Sequence, residues 1–310
     1  MNPIFKIYAV SVVMALGILG AFGALQFVLA DGSSTAVVVQ NAAPSVSAVD
    51  LTANPITLTE NTSTTVTITA TVTDSNGCDD VFTSGTILAT VYRSGLAATS
   101  SCSADENNCY RNVPLAEVGN TCTGGSDTTG DASGTIPLWY FAEATDASST
   151  YPTETWQVAV TARDATGDSG TSTDSTPPEL NSLYALNVTS AINFGTVPPG
   201  TNTGATNQPA TTTNTGNFKI DIEFSGTDMS SGGNTLTAAQ QKYATTSATY
   251  ASLAYTLSTS PTSKDVNLTK TTASGSPIAT TTYWGIAVPN GQATGTYSGT
   301  NTFTAIFSSN

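Results

Sequence analysis

Oxygen-bearing side chains crowd one short stretch of this chain: Asp74-Ser75-Asn76-Gly77-Cys78-Asp79-Asp80. Carboxylates and an amide around a glycine turn suit a hard cation such as Ca²⁺, which takes six to eight oxygens and no nitrogen. The EF-hand pattern is incomplete here because no Glu stands at its twelfth position, so the loop by itself does not close a coordination shell. Asp164 and Asp168 follow the strand-like run Trp156–Ala162. In an antiparallel sandwich the loop after that run and the loop after Val66–Val72 can meet at one pole. Asp74, Asn76, Asp79, Asp164 and Asp168 are therefore the candidate ligands, with Ca²⁺ the candidate ion and no other cofactor expected. The plainer alternative is that Asp and Asn form turns and solvate loop ends.

Catalytic chemistry finds little to work with. The chain has no histidine, which removes the commonest general base and the commonest nitrogen ligand together. Serine is abundant, but no G-x-S-x-G occurs, and neither G-x-x-x-x-G-K nor G-x-G-x-x-G is present. The acid pairs Asp79-Asp80 and Asp105-Glu106 have glycosidase residue types, yet nothing in the sequence makes them flank a bond. The expectation is a protein that is not an enzyme and has no catalytic residues.

The start of the chain sets the compartment. Lys6 is followed by a segment without charge, Ile7–Ala30, which as a helix would span about 36 Å, enough for a bilayer. Val28-Leu29-Ala30 also fits the small-residue rule of a signal-peptidase site. Residues 1–30 are thus a cleaved signal peptide or an uncleaved membrane anchor, and the membrane is a partner only in the second case. Either way the rest of the chain is expected outside the cytoplasm, extracellular or at the cell surface. In that setting Cys78, Cys102, Cys109 and Cys122 read as two disulfides. Three connectivities are open. The spacing favours a nested pair, Cys102–Cys109 inside Cys78–Cys122, stapling a polar loop from Ala98 to Gly134. A zinc site is disfavoured because no C-x-x-C is present.

Around these residues the hydrophobic pattern has period two. Val66, Ile68, Ala70 and Val72 alternate with threonines, Trp156, Val158, Val160 and Ala162 with smaller or polar residues, and Phe218, Ile220, Ile222 and Phe224 with Lys219, Asp221 and Glu223. One apolar and one polar face per strand is what an antiparallel sandwich needs. A helical turn is expected only at Thr237-Ala238-Ala239-Gln240, which has the form of a capping box. Trp139-Tyr140-Phe141 put large side chains on both faces of a strand, as core or as an exposed strip for a glycan or protein partner. Asn61, Asn187 and Asn267 open N-glycosylation sequons.

Charge divides the chain. Residues 31–180 hold 18 of the 22 acidic residues against Arg93, Arg111 and Arg163, whereas residues 181–310 balance four acids with four lysines. The prolines of Ser172–Leu180 mark the change. The expected organisation is 1–30 as export segment, 31–176 as an acidic sandwich with the disulfides, and 177–310 as a neutral sandwich. No basic patch exists to hold nucleic acid.

Ala43-Pro44-Ser45-Val46, then Thr65–Gly77 (TVTITATVTDSNG) and Thr155–Gly170 (TWQVAVTARDATGDSG), resemble the Ig-like repeats of bacterial and archaeal surface proteins. Ile192–Thr201, Asn214–Met229 and Gly295–Phe307 are similar to the Ig-like modules that cap such proteins. The resemblance implies an all-β chain of two antiparallel immunoglobulin-like sandwiches behind an N-terminal hydrophobic helix, acting as a structural or adhesive surface module. A second function remains open. Thr35-Ala36-Val37-Val38-Val39-Gln40 is a β-branched run ahead of the first sandwich, and residues 35–40 donated to a neighbour's sheet would make the chain a filament subunit.

Overall fold

The structure, a computed structural model, describes residues 34–96 and 102–308. The apolar segment Ile7–Ala30 lies outside the described residues. No helix among the described residues is long and apolar enough to cross a membrane. The chain divides between Gln40 and Asn41 into two units, and every strand among the described residues belongs to the second.

The protein is all-β, with its strands paired antiparallel in sandwich-like sheets. Eight strands form the first pair of sheets: β1 Ser45–Thr52, β2 Ser63–Thr73, β3 Thr86–Arg93, β4 Cys109–Pro114, β5 Ala116–Glu117, β6 Thr129–Trp139, β7 Trp156–Arg163 and β8 Ser169–Thr173. One sheet has the order β1-β2-β6-β5, the other β4-β3-β7-β8. The alternation in β2 does what its period demands: Val66, Ile68, Ala70 and Val72 face inward and the threonines between them do not. They meet Val158, Val160, Ala162 and Trp156 of β7 in one core that also holds Ile136 and Leu138 of β6. Trp156 is fully buried, and its indole N–H donates to the Glu143 carbonyl at 2.9 Å, as a buried indole must find an acceptor.

From residue 102 to Gly134, the described part of the polar stretch expected from Ala98 on, the chain is not a long loop. This part contains β4, β5 and the start of β6, because pairing with β3 and β2 satisfies backbone groups that a loop would leave to solvent. Cys78 is bonded to Cys122 and Cys102 to Cys109. The smaller bridge lies against Tyr92 and Ala159 on the outer face of β3 and β7, which explains why β3 is buried on both sides from Ala89 to Arg93.

The remaining strands are β9 Leu186–Val188, β10 Gln208–Asn214, β11 Ile220–Gly226, β12 Met229–Ser231, β13 Asn234–Leu236, β14 Gln241–Ala244, β15 Tyr255–Thr256, β16 Thr262–Leu268, β17 Ala279–Ile286 and β18 Asn301–Phe307. They form sheets β15-β14-β17-β10-β9 and β16-β11-β18, with β12-β13 a separate hairpin. Between the two sheets Trp284 stacks on Tyr243 at 4.7 Å and 20°, and Phe224 packs against both.

Three local expectations need correction. Asp221 does not face solvent: it is buried, and its Oδ1 accepts from the N–H groups of Val266 and Asn267 at 2.9 and 2.8 Å. A register shift in the β11–β16 pair aims both donors at it. Thr237 makes no side-chain cap, and the helical turn is a three-residue 3₁₀ segment, Ala238–Gln240, before β14. The N–H of Ala238 is taken instead by Asp228 at 2.8 Å. A four-residue α-helix, α1 Asp79–Phe82, and a second 3₁₀ turn, Tyr250–Ser252, were not indicated by the sequence.

The chain passes from the first set of sheets to the second through residues pinned on both sides. The N–H of Ile56 donates to Glu179, that of Asn181 to Ile56 and that of Trp156 to Pro178. Just beyond, the N–H groups of Leu183 and Asn217 bond to Asn217 Oδ1 and the Leu183 carbonyl, and Asn217 Nδ2 donates to the Asn181 carbonyl. Gly216 sits where the Leu183 carbonyl comes too close for any Cβ. The first strand of the second set therefore begins only at Leu186 and runs to Val188, since 181–183 spend their hydrogen bonds on this crossing.

Candidate metal centre

The loop after β2 and the loop after β7 meet at one pole of the first sandwich. Asp74, Asp80 and Asp164 each bring one carboxylate oxygen to within 4.8 Å of the others. Both loops are D-x-x-G turns built the same way. In the first, Asp74 Oδ1 accepts from the Asn76 N–H at 2.8 Å and the Asp74 carbonyl from Gly77. Gly77 has φ +120°, a conformation strained for any residue with a side chain, and a Cβ there would crowd the Gly125 carbonyl at 3.1 Å. In the second, Asp164 Oδ1 accepts from the N–H groups of Thr166, Gly167 and Asp168 and from the Thr166 hydroxyl, at 2.8–3.0 Å.

The two buried carboxylates differ in how they are held. Asp164 is 3% exposed, and the Asn41 amide leads the hydrogen bonds that hold its carboxyl below the usual carboxylate range; Thr166, Gly167 and Asp168 add to it. Asp74 is 1% exposed, and its Oδ2 is buried with no hydrogen-bond partner. Asn41 is stretched: its Nδ2 lies 2.8, 2.8 and 2.9 Å from Asp164 Oδ2, Thr166 Oγ1 and Asp168 Oδ2, three acceptors for two hydrogens. The nearest basic side chain in sequence, Arg163, donates to the Gly167 carbonyl at 2.7 Å.

The five residues singled out by the sequence are thus divided. Asp74 and Asp164 come together, and Asp80, present in the same loop, takes the third place because the first turn of α1 carries it. Asp79 lies with one carboxylate oxygen 3.5 Å from Cys122 Sγ. Asp168 is in the second layer, bound to Asn41, and Asn76 Oδ1 accepts from the Ala42 N–H. Helical spacing was the signal that would have exchanged Asp79 for Asp80, had α1 been legible. The loop is held firmly, for the Asp74 and Cys78 N–H groups donate to Thr128 and Asp127, and the Cys78–Cys122 bridge anchors its middle.

The other candidates stand apart. Asp105 caps its own turn through Asn107 and Asn108, and Glu106 accepts from the Ser274 N–H and hydroxyl. β6 ends at Trp139; Tyr140 and Phe141 turn inward at 7% and 0% exposure, so the aromatic triplet forms no exposed strip. Asn61, Asn187 and Asn267 are all exposed. Sequence reasoning missed Lys270. Its ammonium, from the loop after β16, reaches the Phe141 carbonyl at 2.8 Å, Glu143 at 3.1 Å and Asn107 Oδ1, all in the first sandwich. Burial pulls this lysine below its usual value, and Glu143 works in the opposite direction. A lone lysine in a loop carries no periodic signal by which to find it.

No known protein family matches the chain, and no curated protein does. Solved structures give distant likenesses. Trypsin-activated alpha-2-macroglobulin from Escherichia coli is 12% identical over 83% of this chain, at TM-score 0.26, and this chain spans only 18% of its length. The C-terminal domain of the Streptococcus pyogenes antigen I/II-family protein AspA is 11% identical over 85% of this chain and 95% of its own, at TM-score 0.24. A chaperone-tip adhesin complex of CFA/I fimbriae is 9% identical over 86% and 84%, at TM-score 0.26. At these TM-scores the likeness assigns neither family nor task.

Proposed function

We propose that this is a non-catalytic exported protein of the cell surface, a structural or adhesive module. The observation that carries the reading is the state of its cysteines. All four in the chain are paired in two disulfides, and such pairs persist in oxidising compartments. The charge-poor, Thr-rich strand faces and the apolar segment Ile7–Ala30 support it from the sequence. The test is limited proteolysis of intact cells. Peptides from residues 34–308 are expected to be released without lysis, with no thiol available to alkylation before reduction. Recovery of those peptides only after lysis, or free thiols in the native protein, overturns the reading.

A second reading, a filament subunit assembled by strand donation, is favoured by one observation. Residues 34–44 form no strand, and Val37, Val38 and Val39 are 86%, 88% and 78% exposed. An exposed β-branched run is suited to complete a neighbour's sheet edge. Intact chain is then expected to form high-mass assemblies that Val38→Asp abolishes without lowering Tm. A monomer at every concentration in size-exclusion chromatography counts against it.

A further inference from the structure

We propose that Asp74, Asp80 and Asp164 bind a divalent cation of the Ca²⁺ class at the pole where the loops after β2 and β7 meet. The inference does not depend on where the protein resides. It rests on two independent features of this pole. Three carboxylates offer oxygens within 4.8 Å of one another, two of them on residues at least 97% buried. Such a group repels itself unless a proton or a cation stands among them. The second feature is Asp74 Oδ2, buried and without a partner. Native structures pair nearly all buried polar atoms, so an orphaned carboxylate oxygen beside two other carboxylates marks a missing positive ligand.

Among the described residues no side chain donates to Asp74 Oδ2. The ion pairs Arg93–Glu154 and Lys270–Glu143 lie elsewhere, and Arg163 is bound to the Gly167 carbonyl. Asn41 already shares two hydrogens among three oxygens. The donor set decides the class of ion. It is all oxygen, in a chain without histidine whose cysteines are all bonded, which excludes the softer transition metals and leaves hard cations. Three carboxylates supply three to six ligands, and water can complete the six to eight that Ca²⁺ takes. Mg²⁺ demands near-ideal octahedral geometry at shorter distances, to which two loops fixed by a disulfide and backbone bonds are less easily drawn. The site tethers two loops that residues 41 and 42 also link, Asn41 to the loop after β7 and the Ala42 N–H to Asn76 in the loop after β2, so binding is read in stability as well as in heat.

The test is calorimetric titration of the full chain with CaCl₂ at constant ionic strength, together with melting in millimolar Ca²⁺ and in chelator. One site is expected, with Kd roughly 0.1–1 mM, the range of extracellular modules, and a higher Tm in Ca²⁺ because the ion binds the folded chain. Asp80 is only half-buried, so Asp80→Asn is expected to fold and to weaken binding by about tenfold or more. Glu60→Gln, an exposed acid of the same sandwich, is expected to bind as the parent does. No heat and no Tm shift in the parent chain overturns the proposal. So does an equal Tm rise in Asp80→Asn, which marks a general counter-ion effect, and so does binding of Mg²⁺ in preference to Ca²⁺.

Discussion

Single side chains at two positions, Asp221 and Asp164, decide whether buried polar groups are satisfied. Asp221 takes the two N–H groups that a bulge in β16 turns inward. Asp221→Ala leaves both without a partner, and denaturant melts are expected to show a loss of roughly 1–3 kcal/mol; Asp221→Asn, which keeps the acceptor, is expected to lose less. Asp164 gives a pH signature. Its folded carboxyl titrates below the usual carboxylate value, chiefly through Asn41, so the unfolded chain takes up its proton first as pH falls. The stability it contributes is present above about pH 4 and is lost as pH drops through the folded value. In chelator, the Tm difference between the parent and Asp164→Asn is therefore expected to shrink below that pH; a constant difference counts against this role.

At the scale of elements, the Cys78–Cys122 bridge matters more than its smaller companion. It closes a separation of 44 residues, against seven for Cys102–Cys109, and joins the loop after β2 to the approach to β6. Replacing both Cys78 and Cys122 by Ser is expected to cost about 2–4 kcal/mol. Hydrogen exchange is expected to rise in β2, β6 and residues 74–82 and to stay unchanged in β10, β11 and β17. The same variant is expected to bind Ca²⁺ more weakly, because the turn at Gly77 loses its anchor. Protection lost equally in both sets of strands overturns this local account.

For the whole molecule, the telling contact is Lys270. It joins the loop after β16 to Asn107, Phe141 and Glu143 of the first sandwich, with Lys270 and Glu143 side chains 13% and 18% exposed. Removing one member of a buried pair strands the other, at a cost on the order of 3 kcal/mol. Lys270→Met is therefore expected to split a single calorimetric transition into two, one for residues 45–183 and one for the rest. A single transition in the variant shows that the Asn181–Leu183–Asn217 crossing couples the two by itself.

The strands were legible where one face is apolar and the other is not. β2, β7 and β11 announce themselves by a period of two, since a residue on a pleated strand has no choice but to alternate. The acidic character of the first sandwich, the lack of histidine and the two D-x-x-G turns are also properties of the sequence alone. Asp221 broke the period without warning because its burial depends on a bulge in a strand more than forty residues away. The span from Ala98 to Gly134 read as loop because β4 and β5 are edge strands, whose polar side chains mimic a loop's composition. At the pole, the sequence placed Asp74 and Asp164 at the ends of two strands, and nothing in it could rank Asp79 against Asp80. That choice belongs to one turn of helix, and the meeting of the loops belongs to the register of two sheets. The orphaned oxygen of Asp74 exists only once both are in place.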